Sequence, residues 1–249
     1  MSDQVILITG ASRGIGAATA RLAAARGFAV AVNYVTNREA AEAVVGAIAA
    51  GGGRAVAIQG DVAVEADVKR MFQQADAELG TLCVLVNNAG IMQPAQRLDQ
   101  MSPERWERSL AINVVGLFLC CREAVLRMST RHGGKGGAIV NVSSAAARLG
   151  APGEFVDYAA SKGAVDSLTV GLAKEVAREG IRVNAVRPGL VRTDLHGTAG
   201  QPDRVERLKD AVPTGRVGEP EEIAEAILWL ASEQASYVTG AVLDVSAGR

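Results

Sequence analysis

The sequence is poor in aromatic residues, histidine, proline and cysteine, and neither sign of charge is in excess. Its 249 residues include 2 Trp, 3 Tyr, 4 Phe, 2 His, 7 Pro and 3 Cys. With rings this scarce and 28 glycines present, small residues must fill much of the core and the backbone must turn often. The 26 basic and 27 acidic residues leave a formal charge of −1. That excludes the polycationic field on which nucleic-acid and acidic-membrane binders rely. Disorder is excluded as the main state by 49% hydrophobic against 21% charged residues. Cys83, Cys120 and Cys121 form an odd set without framework spacing, so they read as reduced thiols of a cytoplasmic protein, and the adjacent pair as ordinary packing. His132 lies in a glycine-rich loop and reads as surface. Neither it nor His196 has metal-ligand company, and no metal site is expected. The longest apolar run is about eight residues, near Leu117, against roughly 18 for a bilayer span. Val5–Ile8 already reads as a strand, so no targeting segment is expected before it.

What is present is alternation. Strand-like runs at Val5–Thr9, Ala29–Asn33, Ala55–Gln59, Leu82–Val86, Ala138–Val142, Arg182–Val186 and Val242–Val245 are separated by stretches of 3.6-residue period. Ala41, Val44, Val45 and Ile48 make one helical stripe, and Val68, Met71, Phe72, Ala75 and Leu79 another. The pattern predicts an α/β fold, a doubly wound parallel sheet of about seven strands with helices on both faces. Residues 1–249 read as one domain, with loops at 92–100, 145–157 and 193–212 and flexible segments at 131–137 and 193–203. Gly27 and Gly80 close helices, Ser102-Pro103-Glu104 opens one with an N-cap and Pro at N1, and Glu219, Glu221 and Glu222 begin a solvated helix. The helix from Pro103 carries the stripe Trp106, Leu110, Val114, Leu117, Cys121, Val125 and Met128, with Ile112, Val115, Phe118 and Leu119 on its other sides. A helix apolar nearly all round is buried on several faces, in a core or at a subunit interface.

After the first strand comes Thr9-Gly10-Ala11-Ser12-Arg13-Gly14-Ile15-Gly16, leading into a helix. Such a turn lets backbone N–H groups approach a pyrophosphate and sets it at the positive end of a helix. Strand, turn and helix in this order support a Rossmann-type dinucleotide site. The second strand ends in Asn33-Tyr34-Val35, without the carboxylate that commonly binds the ribose 2′-hydroxyl of NAD. Asn33, Arg13 and Arg38 suit a 2′-phosphate better, which favours NADP(H), with NAD(H) as the alternative.

Tyr158 and Lys162 stand four residues apart and share a helix face that continues through Val165, Thr169, Leu172 and Val176. A lysine heading an inward apolar line needs a purpose or a partner. A phenol of pKa near 10 needs help to exchange a proton at neutral pH, and a cation about 5 Å away contributes roughly 3 kcal/mol at an effective dielectric of 20. The pair is an adequate acid/base device.

With Thr9-Gly10-x-x-x-Gly14-x-Gly16, Asn87-Asn88-Ala89-Gly90, Asn113, Ser143-Ser144, Tyr158-x-x-x-Lys162 and Pro188-Gly189 in this order, the chain resembles the simple, single-domain short-chain dehydrogenases/reductases over essentially its whole length. Within that family it is similar to 3-oxoacyl-carrier-protein reductases and glucose 1-dehydrogenases. The resemblance implies interconversion of a carbonyl and a secondary alcohol by hydride transfer. It makes Tyr158 the proton donor or acceptor, with Lys162 lowering its pKa and binding the nicotinamide ribose. Ser144, rather than Ser143, would bond the substrate oxygen, and Asn113 would hold a water in the proton relay. For the cofactor, Gly10, Ser12, Arg13, Gly14, Ile15 and Gly16 would form the phosphate turn. Asp61 and Val62 would flank adenine, Asn88, Ala89 and Gly90 would line the adenosine and ribose side, and Pro188, Gly189 and Thr193 would bracket the nicotinamide. His196 follows that last loop, where surface and substrate-facing positions both stay open.

One departure stands at the end, where members often read Asp-Gly-Gly and this chain reads Ser246-Ala247-Gly248. The implied partners are a small carbonyl or alcohol substrate and a homotetramer built through helices 103–130 and 157–178, with no nucleic acid and no membrane. A different class, a catalytically silent nucleotide-binding regulator or scaffold on the same fold, is opposed by the complete Asn113, Ser144, Tyr158 and Lys162 set.

Overall fold

In a computed structural model describing residues 4–249, seven strands form one sheet in the order β3-β2-β1-β4-β5-β6-β7. They are β1 (Val5–Ile8), β2 (Ala29–Tyr34), β3 (Arg54–Gln59), β4 (Leu82–Asn87), β5 (Gly137–Val142), β6 (Ile181–Pro188) and β7 (Val242–Val245). Every pairing is parallel. The chain winds outward from β1 to β3, then returns to the other side of β1 with β4. That reversal opens a crevice at the carboxyl ends of β1 and β4, where doubly wound sheets bind ligands.

Both sheet faces are covered, so the central strands are apolar at successive positions. Val5, Leu7, Ala31 and Leu85 meet the layer of α3 (Glu65–Leu79), α5 (Gly116–Met128) and α7 (Val156–Val176). Ile6, Ile8, Val32 and Val86 meet α1 (Gly14–Ala25), α2 (Arg38–Ala50) and α10 (Pro220–Ala231). The alternation is the two-residue period of a strand. Ala17, Ala20 and Ala23 of α1 are buried against the sheet, so methyl groups do here what larger side chains do elsewhere.

The predicted strands fall on the observed ones, with ends shifted by one or two residues. The helix expected from Pro103 is α4 (Pro103–Leu110), a π turn at Ala111–Val115 and α5. Ser102 takes the N-cap position of α4, but its side chain does not cap the helix backbone. By length and composition Pro103–Met128 could cross a membrane, yet Leu117, Cys120, Cys121, Ala124 and Met128 lie in the sheet core. The opposite side, with Trp106, Leu110, Val115 and Phe118, is exposed. Segments expected as plain loops contain one-turn helices, α6 (Ala146–Leu149) and α8 (Leu195–Thr198), followed by α9 (Arg204–Leu208). Elements this short are below the length at which hydrophobic period is readable.

Candidate active site

The glycine turn is built by stitching β1 to β4. Thr9 Oγ1 accepts from the backbone N–H groups of Asn88 and Ala89, both at 3.0 Å. Asn88 Nδ2 donates back to the carbonyls of Thr9 and Gly10, both at 2.9 Å. A Cβ on Gly16 would lie 2.5 Å from both Asn88 Nδ2 and the Gly10 carbonyl, so the turn closes only around a hydrogen there. Gly10 has φ of 61°, a left-handed conformation suited to glycine.

The turn ends at α1, whose N-cap residue Arg13 makes no side-chain cap and whose first turn holds no acid. Its leading N–H groups have no intrahelical acceptors and carry the positive end of the dipole. A cradle without Cβ atoms, opening on an uncapped helix N-terminus, fits the pyrophosphate of a dinucleotide.

Asn33 does not fit its expected role. It is buried, its Oδ1 accepts from the Gly10 N–H at 3.0 Å, and its Nδ2 donates to the carbonyls of Ile58 and Gly60 at 3.3 and 3.0 Å. With both ends of the amide engaged, Asn33 shapes the turn from beneath and offers nothing to a 2′-phosphate. Arg38 is exposed at the start of α2, with Nε 3.5 Å from Glu42 along the outer helix face. Arg13 and Ser12 remain at the turn itself. Val62 packs against Gly116, whose Cβ would meet it at 2.8 Å. Asp61 is partly exposed, accepting from the Ala63 N–H at 2.9 Å, with its other oxygen 3.8 Å from Arg108.

Tyr158 and Lys162 lie on the first two turns of α7. Lys162 is 4% exposed; its Nζ donates to the Val142 carbonyl at 2.7 Å and stands 5.6 Å from the centre of the Tyr158 ring. Burial pulls Lys162 down to about 8, against an opposing pull from Asp166. Burial pushes Tyr158 up to about 12, and the hydrogen bond with Ser144 offsets only part of the rise. The expected lowering of the phenol's pKa by Lys162 is outweighed in the protein alone by burial of Tyr158, and the ammonium donates to a backbone carbonyl.

Of the two serines, Ser143 is buried and its hydroxyl donates to the Lys162 carbonyl at 3.2 Å, whereas Ser144 is half-buried and pairs with Tyr158. Asn113 lies in the π turn. Its Oδ1 accepts from the Ile91 N–H at 2.8 Å, and its Nδ2 donates to the Ile91 carbonyl at 3.0 Å and Ser161 Oγ at 3.1 Å. The side chain thus ties α4–α5 to the segment after β4 and to Ser161 of α7. A π turn breaks the regular backbone ladder, a device frequent at functional sites.

A cavity of about 420 Å³ joins Ile15, Asn88, Gly90, Ser144, Tyr158, Lys162, Pro188, Gly189 and Thr193. Gly10, Ser12, Arg13, Gly14, Gly16, Asn33, Arg38, Asp61, Val62, Ala89 and Asn113 are not among its walls, and the cavity meets the glycine turn at Ile15. His196 lines it; burial and the neighbouring Arg204 lower its pKa, keeping the ring neutral. His132 is exposed, as expected. The departure at the C-terminus is visible in the backbone. Ala247 has φ of 55°, costing about 1 kcal/mol relative to glycine, and Ser246 abuts Gly189 where a Cβ would meet it at 2.8 Å.

Two ion pairs around the cavity left no mark in the sequence, because their partners are about fifty residues apart. Arg105 donates to both oxygens of Asp157 at 2.8 and 3.2 Å, and to the Pro94 carbonyl at 2.6 Å, fixing the residue before Tyr158. Arg204 clasps Glu154 at 2.8 and 2.7 Å and stacks on Phe155, 5.0 Å from the ring centre.

The family model described as enoyl-(acyl carrier protein) reductase, a model of short-chain dehydrogenases/reductases, matches residues 10–249. The chain belongs to the short-chain dehydrogenase/reductase family. It is an NAD(P)-dependent oxidoreductase acting on CH–OH and C=O groups. It is 53% identical to the uncharacterized oxidoreductase YgfF of Escherichia coli, over 98% of this chain and 99% of that protein. It is 44% identical to a cis-4-hydroxycyclohexanecarboxylate dehydrogenase of Sinomonas cyclohexanicum, over 99% and 96% of the two chains. A solved 3-ketoacyl-(acyl-carrier-protein) reductase of Brucella melitensis, complexed with NADH, superposes with a TM-score of 0.91 at 36% identity, covering 99% of this chain and 98% of that one.

Proposed function

We propose that the protein is an NADP(H)-dependent cytoplasmic enzyme that interconverts a ketone and a secondary alcohol, with Tyr158 as the general acid and base. The observation that carries this reading is the convergence of Ser144, Tyr158 and Lys162 on a cavity that also reaches the glycine turn. Bound nicotinamide supplies or accepts the hydride. Tyr158 Oη holds the proton that passes to or from the substrate oxygen, and Ser144 Oγ orients that oxygen. Lys162 keeps a positive charge beneath the phenol. Relatives named for a ring alcohol and for a ketoacyl thioester support the carbonyl–alcohol class and leave the substrate to be found by assay.

The sign of the pH dependence follows from Tyr158. Reduction needs the phenol and oxidation the phenolate; burial holds Tyr158 up at about 12, so alcohol oxidation should keep rising with pH through the alkaline range, while ketone reduction holds until the phenol itself ionises. Lys162→Met should move the oxidation limb to higher pH, as initial rates at saturating cofactor will show. An unmoved limb separates Lys162 from proton transfer.

The NADP(H) preference rests on the carboxylate-free end of β2, Tyr34-Val35-Thr36-Asn37, and on exposed Arg13 at the mouth of the turn. Arg13→Ala should weaken NADPH binding about tenfold, the worth of one charge-assisted hydrogen bond, with NADH affinity little changed. Nicotinamide fluorescence titrations check this, and tighter binding of NADH by the wild type contradicts the preference.

The homotetramer reading draws on Trp106, Leu110, Val115 and Phe118, exposed along α4–α5, and on exposed Val170 of α7. Phe118→Glu should convert the assembly to smaller species in light scattering at micromolar concentration. A monomeric wild type refutes the interface.

A further inference from the structure

We propose that the substrate carries a carboxylate and that Arg249 recognises it; this rests on reading the cavity as the substrate site. Among side chains, the walls of the cavity include one carboxylate, Glu154, against three cations, Lys162, Arg204 and Arg249. This excess lies in a protein whose formal net charge is −1. Each charge except one is already accounted for. Glu154 is clasped through both oxygens by Arg204, whose side chain is 12% exposed and lies on Phe155. Lys162 is buried against the Val142 carbonyl beneath Tyr158. Burial keeps His196 neutral.

Arg249 is different. Its main chain is anchored: its N–H donates to the Ser246 carbonyl at 3.1 Å, and its oxygen accepts from Arg148 at 2.9 Å and from Ser246 Oγ at 2.8 Å. Arg249 is among the residues that line the cavity, and among the described residues its side chain forms no ion pair or hydrogen bond. The acid on the adjoining strand, Asp244, already faces Arg148 at 3.3 Å and Arg187 at 3.7 Å. The cofactor's phosphates have their own cradle at the start of α1, so they do not call for this cation. A guanidinium on an anchored backbone beside a concave site walled by Met92, Leu149, Phe155 and Leu195 focuses potential on an anion and can match a carboxylate in bidentate geometry. The substrate it fits has an apolar body, a carbonyl or hydroxyl at the Tyr158 end and a carboxylate at the other.

The test is calorimetric titration of the NADPH-loaded protein with 4-oxocyclohexanecarboxylate and with its methyl ester, in the wild type, Arg249→Leu and Arg249→Lys. The wild type should prefer the carboxylate. The ratio of the two affinities should fall about tenfold in Arg249→Leu and recover in part in Arg249→Lys. NADPH affinity and the thermal midpoint of each variant report whether it has folded. A wild type without preference overturns the proposal, as does a preference that survives in a folded Arg249→Leu. Because the readout is binding, it decides the role of Arg249 whether or not either ketone is turned over. Turnover, and its dependence on Tyr158, decides the underlying reading separately.

Discussion

Tyr158→Phe should lower kcat for ketone reduction by about a thousandfold while the protein still binds NADPH, because the change removes one oxygen and leaves the ring that packs the cavity wall. General acid catalysis contributes about 10²–10⁴ in rate, and here no other group replaces the phenol. A serine hydroxyl is a weak acid, Lys162 is directed at the Val142 carbonyl, and His196 forms no hydrogen bond with Ser144 or Tyr158. Stopped-flow oxidation of NADPH with saturating ketone gives the rate, and fluorescence titration gives the affinity. Activity within tenfold of wild type would remove Tyr158 from the proton path. An unchanged biological role for the inactive variant would favour the regulator or scaffold reading.

Gly16→Ala is expected to have the other large effect, at the opposite end of the site. The added carbon would stand 2.5 Å from Asn88 Nδ2 and from the Gly10 carbonyl, and 2.9 Å from Ala11 Cα. Two of these contacts are backbone, so the turn must open, and overpacking of this kind costs about 1–3 kcal/mol. Opening it also breaks the Asn88 bonds that pin the turn to β4 and misplaces the N–H groups of α1. The expected result is at least a hundredfold loss of NADPH affinity with a lowered melting temperature. Gly163→Ala is a control: it also changes a helical glycine, but nothing lies within 4 Å of its added carbon, so both quantities should stay near wild type. Cofactor affinity retained in Gly16→Ala would place the phosphates elsewhere.

How much of this was legible in the sequence depends on the range over which each feature is encoded. The sheet was legible because strands buried on both faces are written as local apolar runs, as at Val5–Ile8 and Val30–Val32. The glycine turn and the Tyr158–Lys162 pair were legible because each is one local segment with a fixed spacing. Asn33 shows the limit. Its place at the end of β2 was readable, but the direction of its side chain depends on Gly10, Ile58 and Gly60, drawn from two other segments. The side-chain partners of Asn113, Ile91 and Ser161, were out of reach for the same reason. The helical position of Tyr158 beside Lys162 was readable, but the net direction of its shift was not, because burial enters only when the helix docks on the sheet. The Arg105–Asp157 and Arg204–Glu154 pairs were invisible for lack of any local spacing rule.

The buried amides show what a core poor in aromatic rings does with its polar groups. Asn87 Nδ2 donates to Asn141 Oδ1 at 2.9 Å, and Asn141 Nδ2 donates to Thr169 Oγ1 at 2.9 Å, linking β4, β5 and α7. Beside them, burial pushes the Cys121 thiol up to about 12 and Cys120 higher still, keeping both protonated. Thiolate is the reactive form, so these cysteines pack and do not react.

The central claim, that hydride passes directly between the nicotinamide and a carbonyl carbon at Tyr158, is tested most directly by isotope transfer. NADPH carrying deuterium at C4, on one face and then on the other, is to be incubated with the protein and a panel of ring and acyl ketones, and the alcohol analysed by mass spectrometry. The account predicts one deuterium on the carbinol carbon from one of the two labelled cofactors and none from the other, with transfer lost in Tyr158→Phe. Alcohol formed without deuterium from either cofactor, or transfer undiminished in Tyr158→Phe, would contradict it.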